Sequence, residues 1–194
     1  NTDPTVTNAT ISPSSNINAS SLLTCSATGN DADEGSLTPT YTWAASGGAT
    51  NTGAIWQLDP SLISGTETIT CTASVVDASG ATASSTSASV AVTNTPPIST
   101  GVSISPSSGV VTGSTLSCSA GFNDLEDGSL NPTYDWTVGG NGVSSGTSFT
   151  VSSADTNVGD SVVCTASVTD SDGNTIIDTT SVTVENTAPT LSNV

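Results

Sequence analysis

Three short triplets constrain this chain more than anything else in it: Leu23-Thr24-Cys25, Tyr41-Thr42-Trp43 and Ile69-Thr70-Cys71. Within each, the two larger or less polar residues sit two apart, so on a strand they face the same side. The set recurs whole as Leu116-Ser117-Cys118, Tyr134-Asp135-Trp136 and Val162-Val163-Cys164. Cys25 and Cys118, Trp43 and Trp136, and Cys71 and Cys164 all stand 93 residues apart. A chain of 194 residues with such a repeat is expected to hold two domains of about 100 residues each.

Four cysteines, two per repeat, imply an oxidising compartment and the bridges Cys25–Cys71 and Cys118–Cys164. The order Cys, Trp, Cys on successive strands marks an immunoglobulin-like sandwich, with the indole packed beside an inter-sheet disulfide. The expected fold is all-β: two tandem immunoglobulin-like Greek-key sandwiches over 1–93 and 94–186. Residues 187–194 read as the first strand of a further repeat, or as a strand donated to a neighbouring chain. Leu191 and Val194 would be its anchoring side chains. The spacing predicts strands near 4–11, 20–28, 39–46, 56–58 and 67–76, and a last strand ending at Val90 and Val92. The second copy repeats them. The short connection after Val92, without a Gly-rich spacer, predicts coaxial, semi-rigid domains and hence a rod.

Composition excludes several functions. The chain has no Lys, Arg, His or Met, and its net charge is −17. Nucleic acid and anionic membrane surfaces need cationic side chains, so neither is an expected partner. No apolar run approaches a membrane span. Ser and Thr make up roughly a third of the residues, well above ordinary usage. A Ser or Cys nucleophile needs a base, and neither His nor Lys is present. No enzymatic activity is expected. Without Lys or Arg the chain also offers trypsin-like proteases no cleavage site.

The assembled motifs resemble tandem immunoglobulin-like repeats of the polycystic-kidney-disease and cadherin-like kind, from large bacterial and archaeal extracellular surface proteins. The matching residues are the Asn-Thr-x-Pro opener, Ile-Ser-Pro-Ser-Ser at 11–15 and 104–108, and Asp31-Ala32-Asp33. Thr-Cys-Ser-Ala at 24–27, Ser-Cys-Ser-Ala at 117–120 and Cys-Thr-Ala-Ser-Val-x-Asp at 71–77 and 164–170 also match. Two features depart from the pattern. Ile69 and Val162 replace the corner Tyr of antibody domains. Trp43-Ala44-Ala45-Ser46-Gly47-Gly48 replaces the Trp-Asp-Phe-Gly-Asp-Gly run of typical polycystic-kidney-disease repeats. The resemblance implies an extracellular or cell-surface location. The implied role is a structural repeat of a filament, rod or adhesin stalk whose partners are neighbouring copies. The alternatives are a module gripping a glycan or surface receptor, and an accessory domain of a secreted hydrolase.

Two kinds of site are expected. In such a sandwich the loop after the second strand and the turn near 77 share one end. In the first copy that end gathers Asp31, Asp33, Glu34 and Asp77; in the second, Asp124, Glu126, Asp127, Asp170 and Asp172. Carboxylates with no neighbouring cation suit a hard ion, so Ca²⁺ is the expected metal, stiffening the joint between domains. Asn8-Ala9-Thr10 and Asn18-Ala19-Ser20 are N-glycosylation acceptor patterns. Six of the seven aromatics fall on inward positions; Phe122, in the loop after the second strand, reads as a spare surface ring.

Overall fold

The structure, a computed structural model, describes residues 1–187. Leu191 and Val194, the expected assembly residues, lie outside the described residues. Two compact units divide the chain between Thr95 and Pro96. Every element in the described residues is a strand.

In the first unit the strands are β1 (Thr5–Val6), β2 (Thr10–Ser12), β3 (Leu22–Ser26), β4 (Gly29–Asp31), β5 (Gly35–Leu37), β6 (Thr40–Ala45), β7 (Thr50–Thr52), β8 (Ile55–Gln57), β9 (Thr68–Val76), β10 (Thr82–Thr86) and β11 (Val90–Ala91). One layer is the sheet β10-β9-β6-β7, with β11 also on β9; the other comes in two pieces, β2-β3-β8 and β1-β4-β5.

The second unit has β12 (Ile98–Ser105), β13 (Thr115–Asp124), β14 (Gly128–Leu130), β15 (Thr133–Val138), β16 (Asn141–Ser145), β17 (Ser148–Thr150), β18 (Ser161–Thr169) and β19 (Thr175–Thr183). Its sheets are β16-β15-β18-β19 and β12-β13-β14, with β17 on β13. All the strand ladders are antiparallel, and Ser12–Pro13 and Ser105–Pro106 are cis at equivalent positions.

Both bridges form as expected: Cys25–Cys71 with Cα atoms 6.4 Å apart, Cys118–Cys164 with 6.5 Å. Each joins the two layers and closes a separation of 46 residues. Loop-closure entropy makes such a link worth about 4 kcal/mol. Alternation fills the core. Along β9, Ile69, Cys71, Ala73 and Val75 are buried while Thr68 and Val76 are exposed. Trp43 stands opposite Cys71 in the ladder, and Trp136 opposite Cys164. Trp43 packs edge-on to Trp56 at 5.9 Å, and Trp136 lies tilted on Phe149 at 5.8 Å. The indole N–H groups of the two equivalent tryptophans find acceptors: Trp43 Nε1 donates to Gly53 O (2.8 Å), Trp136 Nε1 to Gly146 O (2.9 Å).

Three expectations change. The strand expected near 4–11 is broken at 7–9, and the one near 20–28 is broken after Ser26; each becomes two short strands in the first unit. Phe122 is not a surface ring. It lies within β13 at 1% exposure, in a cluster with Ala166 and Val168. The alternation of the second strand runs on past Ala120 to Asp124, which carries Phe122 inward. Ile17, Ile63 and Val110 are fully buried although they lie outside strands.

Candidate acidic end of each unit

Asp31 closes β4, and its side chain is only 2% exposed. Its Oδ1 accepts the N–H groups of Asp33 (2.7 Å) and Glu34 (2.9 Å), a local side-chain turn that orders the loop. Glu34 reaches across to the turn after β9, where its Oε1 accepts Ala78 N–H at 2.9 Å. Asp77 begins that turn; its Oδ1 accepts Ala81 N–H at 2.7 Å, and its Oδ2 accepts the Asn1 carboxamide N–H at 2.8 Å. Asp33 Oδ2 accepts both the N–H (2.7 Å) and the hydroxyl (2.8 Å) of Thr2. The four acids of the first unit therefore do share one end, and the opening Asn-Thr pair is the donor set that holds two of them.

These bonds set the local acidity. Asp77 is held below the usual carboxylate range mainly by the Asn1 side chain, against the opposing effect of burial, with Ser79 and Ala81 helping. Asp33 is held low by the Thr2 N–H first and the Thr2 hydroxyl second, against burial and the neighbouring Asp77 charge.

In the second unit Asp124 is 7% exposed and repeats the same turn. Its Oδ1 accepts the N–H groups of Glu126 and Asp127, each at 2.8 Å. Asp127 takes the bridging position of Glu34, accepting Ser171 N–H (2.7 Å) and the Ser171 hydroxyl (2.9 Å). Asp170 accepts N–H groups from Asp172 (3.0 Å) and Asn174 (2.7 Å), and the Asn174 carboxamide (3.0 Å). Asp172 thus lends its backbone to the turn while its side chain is exposed.

The arrangement is chiefly one of carboxylates turned onto the chain's own donors. Among the described residues no three acids converge as a metal-holding group. The second oxygen of Asp31 and that of Asp124 stand apart. Asp31 Oδ2 and Asp124 Oδ2 are buried and have no hydrogen-bond partner. They occupy the same place in the two repeats.

Sequence reasoning missed a second polar contact. The Tyr41 hydroxyl accepts Ala27 N–H at 3.2 Å, and the Tyr134 hydroxyl accepts Ala120 N–H at 3.0 Å. The tyrosine of each Tyr-x-Trp triplet therefore serves the backbone of the facing sheet. Its invariance between the repeats was the available signal. Beside Tyr41 lies an open groove of about 610 Å³ lined by Thr38, Pro39, Thr40, Tyr41, Thr42, Thr52, Gly53 and Ala54.

No family model matches the chain, and no curated protein does. Among solved structures it is similar to the three N-terminal domains of the Highly Immunogenic Outer Capsid protein of bacteriophage RB49. Identity is 15%, 94% of this chain and 59% of that one are covered, and the TM-score is 0.36. It is also similar to a Ca²⁺-stabilised adhesin with which an Antarctic bacterium binds ice, at 18% identity, 94% and 49% coverage and a TM-score of 0.39. The chain spans about half to three-fifths of the length of those two structures.

Proposed function

We propose that this chain is a structural repeat module of an extracellular filament, rod or adhesin stalk, with neighbouring copies of the same repeat or chain as its partners and no catalytic activity. It fits the tandem repeats of microbial surface proteins that its motifs resemble. The observation that carries the reading is the pair of sandwiches stapled by equivalent disulfides. A chain that carries tension outside the cell gains from a covalent tie between its layers. The polar groups that sequence alone offers as chemistry are engaged mainly in ordering loops. The test is assembly. Removing residues 188–194 should leave monomers by light scattering at physiological salt, where the intact chain polymerises; polymer from the truncated chain would end the donated-strand form of the reading.

Calcium belongs to the same proposal through one observation, the unpartnered buried oxygens Asp31 Oδ2 and Asp124 Oδ2. A hard cation is the natural partner for such an atom in a chain without Lys or Arg. Titration calorimetry of the metal-free chain decides it: heat at millimolar Ca²⁺ that is lost in Asp31→Asn with Asp124→Asn supports the ion, and no heat refutes it.

The groove beside Tyr41 favours a second reading, adhesion to a glycan, because it offers a sugar ring an apolar floor that includes the Tyr41 ring and Pro39. Binding on a glycan array that is lost in Pro39→Asp would support it.

A further inference from the structure

The two N-glycosylation patterns sit in opposite settings. Asn18 is half-buried between the buried Ile17 and Ala19. Its Oδ1 accepts Ser20 N–H, the Ser20 hydroxyl and the Ser21 hydroxyl, each at 3.1 Å. The carboxamide of Asn18 thus organises the turn into β3. Asn131 precedes a threonine at the right distance too, but Pro132 between them removes it.

Asn8 is exposed, in the gap between β1 and β2. Among the described residues none bonds its carboxamide. The chain around it has left the regular ladder. Thr7 N–H donates to Thr28 O and Thr28 N–H to Thr7 Oγ1, both at 2.8 Å, while Ala9 N–H turns to Ser85 Oγ at 3.4 Å. The break opens a solvent-facing hollow of about 270 Å³ lined by Thr7, Asn8, Thr10, Ser26, Ala27 and Thr28. Four of those six residues carry hydroxyls.

We propose that Asn8, and not Asn18, is an N-linked glycan acceptor, and that the hollow beside it seats the first sugar. The donor class is an oligosaccharide on a lipid pyrophosphate, delivered by a transferase of the secretory route. The Asn8 Nδ2 attacks C1 of the donor sugar, forming the C–N bond. The C1–O bond breaks, the lipid pyrophosphate leaves with its electron pair, and the Nδ2 proton passes to a base of the transferase. Thr10 supplies the hydroxyl that the transferase requires two residues on. A glycan there also covers the broken edge formed by β1 and β2, where backbone groups are open to pairing with another chain. The second unit has no counterpart, since Gly101 occupies the equivalent position.

The test is a mass map of the full chain secreted from a host with an N-oligosaccharyl transferase. Chymotrypsin and a glutamyl endopeptidase would cut it, since Lys and Arg are absent. A sugar-sized increment is expected on the peptide that carries both Asn8 and Asn18, which neither enzyme separates, so the variants assign it. It should disappear in Asn8→Gln and in Thr10→Ala, and persist in Thr10→Ser and in Asn18→Gln. An unmodified secreted chain, sugar on Asn18 alone, or sugar on hydroxyls alone would each overturn the assignment.

Discussion

The two units follow one strand order, yet their upper cores are built differently. In the second unit β12 and β13 run unbroken for eight and ten residues. In the first unit the same stretches split into β1 and β2, and β3 and β4. Two substitutions between the repeats account for this. Phe122 anchors β13 to Ala166 and Val168; at the matching position stands Gly29, where an added Cβ would come within 2.5 Å of Val75 Cγ1 and 2.8 Å of Leu37 O. The first unit closes over the missing side chain instead of filling the space with one. Gly101 takes a φ of 122°, open to glycine, and so absorbs a bulge that lets β12 continue. Asn8 has no such freedom, and the strand breaks there. A sandwich of fixed topology thus tolerates a ring or a closely packed glycine at this position, the glycine coming with loss of strand continuity.

The largest expected effect breaks the second unit. Phe122→Ala should destabilise it by about 3–5 kcal/mol through lost burial and a cavity, while leaving the first unit's denaturant midpoint unchanged. If both midpoints moved together, the units would not be independent cores. Next comes the reverse change. Gly29→Ala should cost the first unit about 1–3 kcal/mol by overpacking against Val75 and Leu37, whereas no loss would mean that β4 can shift freely.

Removing the tyrosine hydroxyls should act alike in both units. Tyr41→Phe and Tyr134→Phe each strand a backbone N–H and should cost about 1 kcal/mol. Native-state hydrogen exchange should then quicken at Ala27 and Ala120. A loss in the first unit only would show that the contact matters where the strand is broken and not where it is whole.

The smallest effect is acid loosening of the first unit's loop end. Asp33 and Asp77 have lowered folded pKa values, so their contribution is complete above the ordinary carboxylate range. It is lost as pH falls through the lowered values. Carboxyl NMR should show both titrating below about 3.9, the unperturbed Asp value. Asn1→Ala should move Asp77 back up and leave Asp33 depressed by Thr2.

The disulfide framework, the indole positions and the alternating inner faces were legible because each rests on local spacing repeated twice. Ile17 and Val110 were not, because both lie outside the alternating runs, Ile17 flanked by asparagines and Val110 beside Val111 between glycines and hydroxyl residues. Ile17 gains its burial from a parallel bridge to Val92, 75 residues away. The shared acidic end was legible from turn chemistry and strand order. Its use was not: whether a carboxylate faces an ion or a backbone N–H depends on where Asn1, Thr2 and Ala78 come to rest. Phe122 reads as a loop ring because a strand end at 121, the repeat of 28, stops three residues short of Asp124 and leaves a core ring outside the strand.

Pulling single chains in an optical trap, oxidised and then reduced, tests the tension-carrying staple most directly. In the oxidised chain each unfolding unit should withhold the 46-residue span between its cysteines. Reduction should lengthen each unfolding step by about 150 Å, given about 3.4 Å per extended residue. Equal step lengths before and after reduction would contradict the account.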